Sequence, residues 1–141
     1  MGLFIMVNCL TMPKTKPFSV SQLRQMGLTQ QELNKVAYHR NNLNHPGKDA
    51  SGNPVTIMAT GIEIPEGPLA GRQVSVPAYR DGKIISDPAA LYSTWKKQIQ
   101  SNYWPTYGSA GELNKRDAWI HKVVMDRDTA ARGTKRVQEM P

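Results

Sequence analysis

The stretch QVSVPAYRDGKIISDP, residues 73–88, decides the fold of this chain, because a hairpin signal in it is followed at once by a helix start. Asp81-Gly82 lies between two β-prone runs, and both central positions of a type I′ turn need a positive φ, which Asp and Gly tolerate. Asp87 followed by Pro88 is typical of a helix N-terminus, with Asp as the N-cap and Pro at the first helical position. The stretch therefore predicts an antiparallel hairpin and then a helix.

Elsewhere in the chain, N-cap residues and apolar repeats of helical period predict three helices, at about residues 29–43, 88–101 and 110–127. A short helical turn over residues 21–26, ended by Gly27, precedes the first of them. The longest β-prone run covers residues 55–64, and its apolar phase shifts at Thr60-Gly61, which indicates a bulge. We therefore expect an α+β fold, in which a small antiparallel meander of about three strands at residues 55–85 packs with these helices.

At 141 residues the chain is long enough for one domain with a modest core. We expect an apolar N-terminal arm and linker at residues 1–18, a single α+β domain at 19–127 and a basic C-terminal tail at 128–141, without fixed structure in solution. The apolar run before Met12 is shorter than the roughly 20 residues that span a bilayer. Met1 and Met12 both remain open as the native start.

The formal net charge is +7, spread along the chain without a run of five basic residues. A general solubility charge and contact with nucleic acid or another anionic surface both fit this pattern. The single cysteine, Cys9, excludes a disulfide within the chain.

The residue types that carry chemistry are scattered. His39, His45 and His121 lack the spacing of a zinc site. Asp117 and His121 stand at i and i+4 on a predicted helix, where they could hydrogen-bond to each other, but they have no credible nucleophile beside them, and we interpret the pair as a surface contact. We therefore assign no catalytic, metal or cofactor residue and predict that the chain is not an enzyme.

The turn and cap residues of this region carry a resemblance; the matching positions are Val76, Pro77, Asp81, Gly82, Lys83, Ser86, Ala90, Tyr107, Ser109 and His121. With them, residues 72–124 resemble a small module that recurs in virion proteins of tailed bacteriophages, including large ejection and internal virion proteins. The resemblance brings no catalytic residues to this chain. It implies a non-enzymatic structural or internal virion protein, made in the cytoplasm of a bacterial host. We expect such a protein to act by docking, with the apolar N-terminus and the basic tail reaching onto neighbouring subunits or packaged DNA. Its implied partners are other virion proteins, with packaged nucleic acid as a further candidate.

Two alternatives come from other functional classes. A small basic nucleic-acid-binding module would use the helical unit at residues 19–43, as a helix-turn-helix, or the aromatic and basic strip at 95–107. A small hydrolase or nuclease would need histidine and acidic groups in one pocket. No cofactor, membrane span or small-molecule substrate is predicted. The candidate contacts to partners or nucleic acid are Phe4, Lys14, Lys16, Arg40, Lys96, Lys97, Trp104, Arg132, Lys135 and Arg136.

Overall fold

The computed structural model of the chain describes residues 16–43, 47–48, 51, 54–55 and 59–131. The helices in these residues are α1 (Val20–Gln25), α2 (Gln30–Asn42), α3 (Pro88–Gln100) and α4 (Ala110–Ile120). The strands are β1 (Gly47–Lys48), β2 (Pro54–Val55), β3 (Ala59–Glu63), β4 (Gln73–Pro77), β5 (Tyr79–Arg80), β6 (Lys83–Ile84) and β7 (Thr106–Tyr107). The predicted α+β class is confirmed.

Local sequence signals place the helices and the hairpin. Side chains at Ser19, Thr29, Asp87 and Ser109 cap the four helices by accepting a hydrogen bond from a backbone N–H three residues later. In the hairpin, Arg80 pairs with Lys83, and both residues of the two-residue loop between them have a positive φ, 51° and 79°. The hairpin and the three predicted helices are therefore confirmed.

The three-stranded sheet has a different third strand from the one predicted. Its order is β3-β4-β7, antiparallel throughout, whereas β5 and β6 form a separate two-stranded ladder and β1 pairs with β2 in another. The chain leaves the sheet at Pro77, which has no N–H to continue the pairing. On the other edge of β4, the Ser75 N–H donates to the Pro105 carbonyl at 3.0 Å, next to β7.

The predicted bulge at Thr60-Gly61 is wrong. The register between β3 and β4 runs without a break from Ala59 opposite Pro77 to Glu63 opposite Gln73. A Cβ at Gly61 would lie only 2.7 Å from Cδ2 of Leu113, so the glycine allows α4 to approach the sheet closely.

Each face of the sheet meets different partners. One face is apolar and packs on α3; this part of the core contains Ile62, Ile64, Val74, Val76, Leu91, Trp95, Ile99 and Trp104. The other face carries Gly61 and Ser75 and meets α4 and α2. A second apolar cluster joins α1, α2 and the end of the last helix through Leu23, Leu28, Leu33, Val36, Ile120, Val124 and Met125.

The last helix is longer than predicted. α4 continues as a π-helical turn over His121–Met125 and stays helical through residues 126–131. Asp128, which the sequence placed at the start of a polar tail, is only 1% exposed. Arg40 of α2 forms an ion pair with it, and this pairing allows the acidic residue to be buried.

Candidate functional site

A buried polar cluster joins three elements on the polar face of the sheet. Lys35 of α2 donates from Nζ to Ser75 Oγ, 2.8 Å away, and to Asp117 Oδ1. The Ser75 hydroxyl in turn donates to Asp117 Oδ2 at 2.7 Å. Serine, lysine and aspartate are residue types of nucleophilic catalysis, but Ser75 is 0% exposed, so a substrate cannot reach its Oγ in this arrangement. The cluster instead ties α2, β4 and α4 together.

A second buried cluster surrounds Glu32, which is 2% exposed. Its carboxylate accepts two hydrogen bonds from Arg116, at 2.8 and 3.0 Å, one from the Tyr107 hydroxyl at 2.6 Å and one from the Thr29 N–H at 3.0 Å. Burial alone would raise the pKa of Glu32, but the bonds from Arg116, Tyr107 and Thr29 outweigh burial and lower it. Burial and the Glu32 charge raise the pKa of Tyr107.

A third cluster, the Arg40 clamp, consists of Lys16, Phe18, Arg40, Arg127 and Asp128. Arg40 donates to both carboxylate oxygens of Asp128, at 2.7 and 3.0 Å, and to the Phe18 carbonyl at 2.8 Å. Arg127 donates to the Lys16 carbonyl at 2.5 Å, and its guanidinium lies 4.2 Å from the centre of the Phe18 ring. Bidentate pairing with a carboxylate fixes the arginine in orientation as well as in position.

The Arg40 clamp brings two distant parts of the chain to one place. Pro17 and Ala131 line the same depression, together with Arg40 and Asp128. The first and the last residues that the structure describes, 16 and 131, therefore lie near each other, and they border the segments before and after them in the sequence. These are the segments to which the sequence assigned an apolar arm and a basic tail.

A basic groove runs along the side of α3; we call it the α3 groove, and its lining includes Arg80, Thr94, Lys96, Lys97, Gln98 and Ser101. Arg80, in β5, donates from Nη1 to the Thr94 carbonyl at 3.1 Å, and its guanidinium lies 4.9 Å from the centre of the Trp95 ring. Lys97 is exposed in the last turn of the helix. Lys96 is exposed as well and forms an ion pair with Glu66 at 3.1 Å.

The structure separates the candidate contact residues into two surfaces and one buried position. Lys16 and Arg40 lie in the Arg40 clamp, and Lys96 and Lys97 lie in the α3 groove. Trp104 is 2% exposed and packs edge-on against Trp95, so its ring is not placed to stack on a base. The remaining candidates lie outside the described residues; they are Phe4, Lys14, Arg132, Lys135 and Arg136.

The sequence missed Arg80, Arg127 and Asp128. Arg80 was interpreted only as part of the hairpin turn. One sequence feature indicates that Asp128 is buried. It follows Val124 at i+4, so both residues lie on the same side of the last helix. The partner of Asp128, Arg40, is among the candidate contact residues that the sequence predicts.

The contact between Asp117 and His121 that their spacing allows is not formed. Asp117 turns toward the sheet to bind Lys35 and Ser75, and His121 Nε2 lies 3.2 Å from Asp126 Oδ1 instead. His39 is buried in α2, whereas His45 lies outside the described residues.

Neither a metal site nor a membrane span can be assigned in the described part of the chain. There, histidine, cysteine, aspartate and glutamate do not gather in threes in a way that would hold a metal ion. The helices described are too short or too polar to cross a bilayer. No family model, curated protein or solved structure matches the chain.

Proposed function

We propose that this chain is a non-enzymatic structural or internal protein of a tailed-bacteriophage particle, and that it works by docking onto neighbouring virion proteins. The observation that carries the proposal is the Arg40 clamp, which brings residues 16–18 close to residues 127–131. The resemblance of residues 72–124 to a virion module supports the class of protein. The docking mode follows from the chemistry of the two segments.

The two segments complement each other. Residues 1–12 are mainly apolar, and residues 132–141 carry three basic side chains and one acidic one. When both leave the fold at one site, binding of the first holds the second at a high effective concentration near the same partner. The proposed partner is therefore a subunit that offers an apolar groove beside an acidic patch.

The two buried clusters, around Lys35 and around Glu32, are consistent with a rigid fold that holds the binding segments in place. Lys35, Asp117, Glu32 and Arg116 are all engaged in bonds between elements. Such fully paired groups fix how helices sit on a sheet, and a docking protein needs a rigid body from which to present its binding segments.

Mass spectrometry of purified particles tests the proposal. We expect peptides of this chain to stay at a constant ratio to the major capsid protein through successive density gradients. Presence in the lysate of infected cells together with absence from purified particles would overturn it.

A charge-reversal experiment tests the docking mode. In a phage that carries R132E, K135E and R136E, we expect less of the chain in each particle, because the basic segment then repels an acidic patch. The control carries K115E and K122E, which change exposed lysines of the last helix. Equal incorporation of the two variants would count against docking through the basic segment.

A further inference from the structure

We propose that the α3 groove binds the sugar–phosphate backbone of nucleic acid. This site is separate from the Arg40 clamp, and its binding is a property of the purified chain whether or not the chain belongs to a particle. The candidate residues Lys96 and Lys97 form part of it, and Arg80 completes it.

The described residues that line the groove carry one sign of charge. Three of these side chains are cationic, and none of the described lining residues is acidic. The neutral ones are serine, threonine and glutamine, whose hydroxyl and amide groups donate hydrogen bonds. Cations together with neutral donors are the groups that proteins use to contact phosphate oxygens.

The groove has the length of a short run of phosphates. Thr94, Lys97, Gln98 and Ser101 stand at i, i+3, i+4 and i+7, so they form one stripe along the helix. At 1.5 Å of rise per residue the stripe is roughly 10 Å long. Neighbouring phosphates of a strand lie closer together than the length of this stripe, so the stripe can contact more than one phosphate.

Arg80 is held in place before any ligand arrives. Its bond to the Thr94 carbonyl and its position over the Trp95 ring fix the guanidinium at the edge of the groove. A fixed arginine loses less conformational freedom on binding than a free side chain does. Lys96 is a weaker candidate, because Glu66 already neutralises it. Arg80 and Lys97 are therefore expected to carry the phosphate contacts.

Fluorescence anisotropy with a labelled oligothymidine of about 20 nucleotides tests the proposal. The variant is R80Q/K97Q, and the control is K115Q/K122Q, which removes the same charge from exposed lysines of the last helix. We expect the slope of log K against log salt to fall in magnitude by about 1.4 in the variant, since each lost contact with a single strand removes about 0.7. The control is expected to keep the slope of the unmodified chain.

Two further measurements distinguish phosphate binding from a folding defect and from attraction to any polyanion. K97Q alone changes an exposed side chain and should lose about 0.7 of the slope, so the test holds even where the change at Arg80 disturbs the fold. Competition with polyglutamate should be much weaker than competition with unlabelled oligothymidine. Equal losses in variant and control, an unchanged slope in both, or equally effective competition by polyglutamate would each overturn the proposal. A duplex for which the variant also loses slope, by about 0.9 for each lost contact, supports recognition of the backbone.

Discussion

At the scale of single residues, Glu32 is where a small chemical change should have a large effect. Replacing it with Gln removes the charge that Arg116 faces while it keeps the size of the side chain. Breaking a buried pair by removing one partner costs several kcal/mol, and Arg116 is partly exposed, so we expect E32Q to lower the free energy of unfolding by about 2 to 3 kcal/mol. Urea unfolding at neutral pH measures this. The exposed Glu63 provides the control, and E63Q should change stability by less than about 0.5 kcal/mol.

The lowered pKa of Glu32 also fixes how stability depends on pH. Its folded pKa lies below the ordinary value of 4.5, so the ionised form stabilises the fold. That contribution is complete above the unfolded value and is lost as the pH falls through the folded one. The unmodified chain should therefore lose stability below about pH 4.5, and E32Q should lose less over the same window. An identical acid slope in both proteins would contradict the assignment.

Gly61 is the second residue whose role rests on one contact. Gly-to-Ala changes are often stabilising where the backbone allows them, yet here the added methyl would meet the buried Leu113 side chain. We expect G61A to destabilise the fold by about 1 to 3 kcal/mol. The double variant G61A/L113A should cost about 1 kcal/mol less than the sum of its two single changes.

Gly111 provides the control for this prediction. A Cβ there would have Ser109 Oγ as its nearest neighbour, at 3.9 Å, and the residue is helical. G111A is therefore expected to stabilise the protein. If G61A stabilises it as well, Leu113 does not restrict that position.

At the scale of elements, the bonds of Lys35 hold α2 and α4 on the sheet. K35M leaves Asp117 without its cation, and we expect a loss of about 3 kcal/mol in the free energy of unfolding. K35M/D117L removes both charges and should be more stable than K35M alone, because an apolar pair of similar volume often replaces a buried ion pair without loss. Urea unfolding of the two variants decides this. A double variant that loses the full sum of both single changes would show that the two side chains are not coupled.

The elements that the sequence predicts well are those whose signal lies within a few residues. The caps at Thr29 and Asp87 and the Asp81-Gly82 turn satisfy backbone groups or φ angles in their own neighbourhood, so their structure follows from local chemistry. The two-residue strand β7 has no such signal, because it exists through pairing with β4 more than 30 residues earlier. The wrong prediction of a bulge at Gly61 has the same cause. The contact that requires a glycine there comes from Leu113, which lies 52 positions further along the chain.

At the scale of the whole molecule, the same limit explains which parts of the candidate site were predicted. Lys96 and Lys97 are recognisable as adjacent exposed cations on a helix, whereas Arg80 joins them only because the hairpin folds back over Trp95. Arg40 stands out as a polar residue on an apolar face, but only the fold shows that its partner is Asp128, 88 residues away. The sequence thus predicts which side chains need a partner, and the tertiary fold decides which partner each one finds.

The Arg40 clamp leads to a prediction about local opening. D128N removes the charge that Arg40 binds, and loss of a charge-assisted hydrogen bond costs about 1.5 to 3 kcal/mol, which is roughly a tenfold or greater change in an opening equilibrium. We expect amide hydrogen exchange to accelerate by about that factor in residues 126–131 and around Phe18, and to change little in α3, which packs on the opposite part of the core. Hydrogen exchange followed by mass spectrometry measures both regions at once.

The matched control for D128N is D126N, since Asp126 is exposed and lies at the surface beside the exposed His121, with 3.2 Å between Oδ1 and Nε2. D126N should leave exchange around Phe18 unchanged, because Asp126 is not part of the Arg40 clamp. Acceleration that is uniform across α3, the sheet and the last helix would show instead that Asp128 supports the whole core. In that case residues 16 and 131 would lie close together because of the global fold. The Arg40 clamp would then not open as a separate unit.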